Sequence, residues 1–344
     1  SGIADYAYDL AKVLSRQAAD VTVYTTETSP RALPGVEIHT VSENTGLEDL
    51  NDFDALVYQL GNNTGFHLWM IPLLHSHPGI VHVHDLVMHH MVAWQTWLEG
   101  DPESYLEVME RWHGPHGRKT AEEALRLEKY LWDSDEIGEY PLSEEYLQEA
   151  TGVIVHSQHA LRHIRQTTPH VPSFQVPQLY DLHEIKAPAT KLRNIVILGG
   201  VDPQKRVDWV LETLANAENL IDTGQTLNLK IAGSIDPRCR HLEQRASEIS
   251  SSRLQIDFLG RVTDSQFEQL FVEADLCIAL RYPTMGETSA IVSRAMQYGV
   301  PTIVNNIGWY AELPEDVVKK LPVDGCQRRL GELLEYLLND ARAY

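Results

Sequence analysis

Two rhythms alternate along this chain. Short apolar, β-rich runs recur, and most are followed by segments whose apolar residues return every three or four positions. The stretch from 276 to 304 shows the pattern most clearly. Leu276-Cys277-Ile278-Ala279-Leu280 reads as a buried strand, and a polar loop with Gly286 follows it. Thr288 and Ser289 then open a helix with Ile291, Ala295 and Tyr298 on one face. Gly299 is its C-cap, Pro301 ends the unit, and Ile303-Val304 starts the next strand. A strand, a polar loop and a helix start make a natural anion site, because backbone N–H groups and the positive helix end face the loop.

The same reading extends over the rest. Ser1-Gly2-Ile3 reads as a loop end, and a helix covers residues 4–16 with Tyr6, Leu10, Val13 and Leu14 aligned. Strands are expected at 21–24, 36–39, 55–60 and 80–84, with a helix over 65–74. Residues 86–150 are helical in pattern, acidic and rich in Trp and Tyr, and read as an insertion whose aromatics form core. Gly152-Val153-Ile154-Val155 restores a strand, and four prolines between 169 and 188 mark a linker. From 194 a second series runs: strands at 195–198, 227–231, 254–259, 276–280, 303–304 and 317–321, with helices over 205–217, 237–250, 264–273 and 327–338.

Strands alternating with helices predict an α/β fold with parallel sheets covered on both faces. Two halves of like rhythm predict two Rossmann-like domains, 1–185 and 186–344, with a helical insertion at about 86–150 in the first. They are expected to face each other across a cleft, with ligands at the C-terminal ends of the strands. An opening helix with no strand before it implies a first strand upstream of Ser1.

Length agrees with two domains: 344 residues at roughly 150 per domain. Asp and Glu number 49 against 28 Lys and Arg, a net charge of −21, which argues against a nucleic-acid partner. An anionic ligand therefore needs a local basic pocket. No window approaches the ~18 unbroken apolar residues of a membrane span, and the opening SGIADYAYDL has no leader pattern. Cys239, Cys277 and Cys326 are scattered and odd in number, which suits a reducing compartment rather than a disulfide framework.

Three constellations carry chemistry. Gly199-Gly200-Val201-Asp202-Pro203-Gln204-Lys205-Arg206 follows a strand: glycines admit a phosphate to the backbone, and two cations neutralise it. It is neither a P-loop nor the G-x-G-x-x-G fingerprint, and in isolation a turn with a solvated Lys-Arg pair is the simpler reading. His82-x-His84-Asp85, with His89 and His90, is the second. His82 and His84 share one strand face, an arrangement that some metallohydrolases use. No second cluster is visible to complete a metal site, and packing histidines are the plainer account. The third is Glu287, Thr288, Ser289 and Arg294. Glu287 and Arg294 share a face if the helix already includes Glu287, and a capped helix with a surface ion pair is the competing account.

Taken in order, these segments resemble a GT-B glycosyltransferase of the large retaining family four, in a bacterial branch. SGIADY resembles that family's glycine loop. YQLGNN with His67, PGIVHVHDLVMHH and GVIVHS follow in its first half. ILGGVDPQKRVD resembles the G-x-x-x-x-x-K phosphate segment, and LKIAG, FLGRVTDSQFEQLFVEADLCIAL and GETSAIVSRAMQYGVPTIVNNIGWYAELP complete the second half. The resemblance implies Gly2 near the donor phosphates, His84 beside the transferred sugar, and Lys205 with Arg206 on the pyrophosphate. Glu287 and the N–H groups of Thr288 and Ser289 would hold sugar hydroxyls and the β-phosphate. Gly200, Gly286 and Arg294 fall at donor-sugar or ribose positions. Gly200 stands where the family commonly has Arg; Gly286 and Arg294 stand where it has a pair of glutamates. The chain also stops at Tyr344, where the family continues into helices that cross back.

The function expected from the resemblance is transfer of a sugar from a nucleotide-diphosphate sugar, with retention, to a glycan, lipid-linked or small-molecule acceptor in glycan or polysaccharide synthesis. No metal or other cofactor is required in that scheme. The expected place is the cytoplasm, extending to the inner membrane face as a peripheral station. The alternatives are an inactive GT-B binding module, a metal-dependent hydrolase built on His82, His84 and Asp85, and a sugar-nucleotide epimerase.

Overall fold

The computed structural model describes residues 2–17, 19–41, 50–178, 191–217, 221 and 225–339. The chain forms two compact units: Ser1–Leu179 with Met285–Thr288, and Tyr180–Thr284 with Ser289–Tyr344.

The first unit opens with α1 (Gly2–Arg16), β1 (Thr22–Thr25), β2 (Glu37–Thr40), β3 (Val57–Leu60), α2 (Thr64–His67), α3 (Ile71–Ser76) and β4 (Ile80–Val83). After these come α4 (His89–Gln95), α5 (Pro102–Leu127), α6 (Glu144–Leu147), β5 (Gly152–Val155), α7 (Gln158–Thr167) and β6 (Ser173–Gln175). β3-β4-β5-β6 form a parallel sheet in that order, and β1 and β2 pair separately. Leu60, Val81, Val153 and Val155 are buried in its core beneath Met88, Met91 and Met109 of the insertion.

Three expectations are corrected here. Gly2 is the first residue of α1 rather than part of a loop, and Asp5 in that first turn complements the helix dipole. The helix expected over 65–74 is divided into α2, a 3₁₀ turn and α3, because Pro72 has no N–H to continue a single helix. The proline-rich linker contains β6, a strand of three residues, too short to show a period. Residues 179–188 of that linker lie outside the described residues.

The insertion covers the sheet. Asp101 caps α5, accepting the Ser104 N–H at 3.1 Å, and Gly114 (φ 65°) with Pro115 breaks its helical path midway. Tyr105, Tyr140 and Tyr146 are buried as expected, whereas Trp94 and Tyr130 are each 42% exposed.

The second unit contains β7 (Asn194–Leu198), α8 (Val207–Ala217), β8 (Leu227–Ala232), α9 (His241–Ile249), β9 (Leu254–Gly260) and α10 (Asp264–Glu273). β10 (Leu276–Ala279), α11 (Ala290–Gln297), β11 (Thr302–Asn305), β12 (Val318–Leu321) and α12 (Cys326–Asn339) complete it. Its sheet is wholly parallel, in the order β9-β8-β7-β10-β11-β12. Both faces are buried, and β7 shows how. Ile195 and Ile197 join the core that α8 and α12 cover, while Val196 and Leu198 join the core with Phe271 and Ala295. Strand order reverses between β7 and β10, so the loops leaving those two strands diverge and open a crevice at their C-terminal ends. β9 and β12 are the sheet's edges.

His89 on α4 is fully buried; its ring nitrogens contact the Tyr140 carbonyl and the Tyr105 hydroxyl, each at 2.7 Å. Burial lowers its pKa to about 4, the bond to Tyr140 opposes that shift, and His113 and His90 add to it. The folded state therefore holds His89 neutral. Its contribution to stability is complete above the unfolded value near 6.5 and is lost as pH falls toward 4, at about 1.4 kcal/mol per pH unit. Urea titrations at pH 7 and pH 5 should show wild type losing more stability than His89→Gln, although the variant starts lower. Equal losses would refute this assignment.

Candidate functional site

In the second unit the phosphate-type segment leaves β7 at the crevice. Gly199 has φ 84°, and the chain turns so that Asp202 accepts the N–H groups of Gln204 and Lys205 at 3.0 and 3.1 Å. This cap closes a 3₁₀ turn at Pro203–Lys205 and brings Lys205 back over the strand end. Its ammonium donates to the Leu198 carbonyl at 2.6 Å and lies 2.6 Å from where a Cβ on Gly199 would be. The cation is thus fixed at the C-terminal end of β7. Arg206 (φ 50°) sits apart from that role. Its guanidinium lies over the Trp209 ring at 4.1 Å and pairs with Asp208 at 3.0 Å.

Two residues not singled out from sequence stiffen this crevice. Arg281, just past β10, donates to Asp202 at 3.2 Å, and its backbone N–H donates to the buried Asn305 side chain at 2.8 Å. Their signal was position: each lies at the C-terminal end of a strand.

The loop after Arg281 departs from the expected geometry. α11 begins at Ala290, with Ser289 as N-cap accepting the Val292 N–H at 3.3 Å, so Glu287 lies outside the helix and shares no helical face with Arg294. Instead the Glu287 carboxylate accepts the Met285 N–H at 2.8 Å within its own loop. Met285–Thr288 belong to the first unit, where the Val87 N–H donates to the Met285 carbonyl. Gly286 (φ 69°) packs on Leu86 so closely that a Cβ would lie 2.5 Å from the Leu86 Cβ. Arg294 is half-buried, with its guanidinium 5.7 Å from the Phe267 ring centroid. Gly200 is exposed on the β7 loop.

In the first unit, His84 is buried rather than presented at an open strand end. Its Nε2 meets the Gln59 side-chain oxygen at 2.7 Å, and its ring stacks on His82 at 4.9 Å. His156 completes a group of three. The parallel register pairs Val83 with Val155, so His84 and His156 occupy equivalent positions one step beyond adjacent strands. That register was the missing signal for His156. Asp85, part of the metal set considered from sequence, instead accepts the Asn62 N–H at 2.8 Å. His89 belongs to the packing of the insertion.

Comparison with known proteins fits this geometry. Residues 193–340 match the family model described as glycosyl transferases group 1. Over 99% of the chain the fold is similar to WaaG, a glycosyltransferase involved in lipopolysaccharide biosynthesis, at 15% identity and a TM-score of 0.59, covering 88% of that chain. It is equally similar to Anabaena Alr3699/HepE in complex with UDP and glucose, at 15% identity and a TM-score of 0.61, with 99% of this chain and 88% of that one covered. No curated protein sequence matches the chain significantly. The fold is that of the GT-B glycosyltransferases, with a Rossmann-like α/β region in each unit. Within that fold, the match to the glycosyl transferases group 1 model falls in the second unit.

The β7 loop depends on Gly233, at the end of β8. Its φ is 153°, and a Cβ there would lie 2.2 Å from the Gly199 carbonyl oxygen. Gly233→Ala should therefore cost roughly 1–3 kcal/mol by overpacking. Chemical denaturation should register that loss; a variant as stable as wild type would show that the two loops do not meet this closely.

Proposed function

We propose that this protein is a retaining glycosyltransferase of family four that takes its sugar from a nucleoside-diphosphate sugar, with UDP as the nucleotide, for glycan or polysaccharide synthesis. The observation that carries the proposal is the Lys205 ammonium held at the crevice between β7 and β10. A leaving diphosphate gains negative charge as the glycosidic bond to it breaks. A fixed ammonium and the backbone N–H groups at the start of α11 stabilise that charge without reorganising. Arg206 adds positive potential, and a phosphate would have to draw it from Asp208. In a chain of net charge −21, this local concentration of cations is what lets an anion settle. Charge neutralisation in this scheme comes from side chains and backbone. The choice of UDP is supported by HepE, whose structures hold UDP with glucose and UDP-glucose. The acceptor falls to the first unit. The proposed setting is the cytoplasm; among the described residues no helix is long and apolar enough to cross a membrane.

A second reading, a GT-B module that binds nucleotide without turnover, is favoured by Arg294 and Gly286 standing where the family's glutamates are expected. Release of free UDP from UDP-sugars separates the two, since binding without any release supports the module.

A thermal-shift panel of UDP, GDP and ADP should show the largest rise with UDP, because a ligand bound only by the native state stabilises it. Lys205→Ala should weaken UDP binding roughly ten- to a hundredfold, the scale of a charge-assisted hydrogen bond. Wild-type affinity in that variant would rule Lys205 out as the phosphate contact.

A further inference from the structure

His82, His84 and His156 lie together inside the first unit, all three buried. One ring nitrogen from each lies within 4.8 Å of the others. Their hydrogen bonds fix which nitrogens are available. His156 Nδ1 faces the Val176 carbonyl at 2.8 Å, and a carbonyl can only accept, so the proton sits on Nδ1 and Nε2 keeps its lone pair. That Nε2 is buried and has no hydrogen-bond partner in the protein. His84 spends Nε2 on the Gln59 side-chain oxygen, which leaves its Nδ1 lone pair. His82 has no protein partner at either ring nitrogen, although it is 1% exposed.

A buried imidazole with both nitrogens unbonded is costly, and native proteins satisfy such groups. Here one ring nitrogen from each of three neutral-capable imidazoles comes within 4.8 Å of the others, and lone pairs cannot satisfy one another. What they share must be electron-poor. The outer bonds to Gln59 and Val176 are of the kind that orient metal-bound histidines, fixing the tautomer and turning the other nitrogen inward.

We propose that His82, His84 and His156 form a binding site for one divalent transition-metal ion of the Zn²⁺ class. Zn²⁺ takes neutral imidazoles at about 2.0–2.1 Å in tetrahedral geometry, which sets its ligand nitrogens roughly 3.4 Å apart. Ring shifts of about 1 Å bring the present arrangement to that spacing. The Tyr6 ring meets all three imidazoles edge-on at centroid distances of 4.8–5.3 Å and closes one side of the site. A metal here gives His84 a ligand's role in place of a contact with the transferred sugar. The site stands on the first unit's own residues and does not depend on the glycosyltransferase reading.

The test uses the full chain without an affinity tag, prepared without chelators for metal analysis, then stripped and titrated with Co²⁺. Wild type should carry close to one equivalent of metal, and stripped protein should bind one Co²⁺ with the visible absorption of a low-coordinate imidazole site. His156→Gln and His82→Gln should bind that first equivalent at least a hundredfold more weakly, while His75→Gln, at an exposed histidine, should match wild type. If the ligand variants do not fold, pulsed EPR of Cu²⁺-loaded wild type counts the bound imidazoles, and fewer than three overturns the site. Wild type that binds only weak, multiple equivalents overturns it, as does undiminished affinity in the folded variants. So does a crystal structure grown with Zn²⁺ that shows only water among the rings.

Discussion

A parallel sheet with helices on both faces leaves its strands nowhere to be polar except at their ends. In the second unit that constraint decides almost everything else. β7 contributes Ile195 and Ile197 to one apolar layer and Val196 and Leu198 to the other, so none of these four side chains is available for chemistry. Polar groups collect where the strands stop: Lys205 over Leu198, Arg281 past β10, and Asn305 at the end of β11. The first unit obeys the same rule. Its histidines crowd the C-terminal ends of β4 and β5, where the register holds two of them side by side.

Much of the fold could be read from the chain because burial on both sides writes itself as unbroken apolar runs. β5, β7 and β10 carry that mark, and the helices between them show their stripes. What could not be read was set by long-range register or by single atoms. Nothing local tells His84 that His156 will stand beside it. Nothing in GETSAIV says that Glu287 will turn back onto the Met285 N–H, or that Ser289 will delay the helix to Ala290. Arg206 was paired with Lys205 by sequence, but Trp209 and Asp208, on the first turn of the next helix, claim its guanidinium. Gly2 looked like a loop residue because glycine usually is one, and a helix start tolerates it equally well.

The two units handle charge in opposite ways. Around β7 the protein builds fixed positive charge within a strongly acidic chain, using a carbonyl to hold Lys205 and a carboxylate to hold Arg281. Around β4 and β5 it does the reverse: burial above all, and for His82 and His84 the nearby imidazoles as well, disfavours the protonated rings. Cys277, within β10, follows the second pattern. Burial pushes its thiol up to about 12, so it stays a packing residue although the Lys205 charge pulls the other way.

The edges of the second sheet carry a consequence for the protein in crowded solution. β9 alternates more and less covered positions and turns Gln255 and Asp257 outward, and β12 carries Lys319 and Lys320 between Val318 and Leu321. Open edges invite strands from other molecules, and charged side chains on them raise the cost of a second chain docking there. A wholly parallel six-stranded sheet with open edges would otherwise offer two sites for added strands. Two lysines and an aspartate at its borders oppose that edge-to-edge pairing.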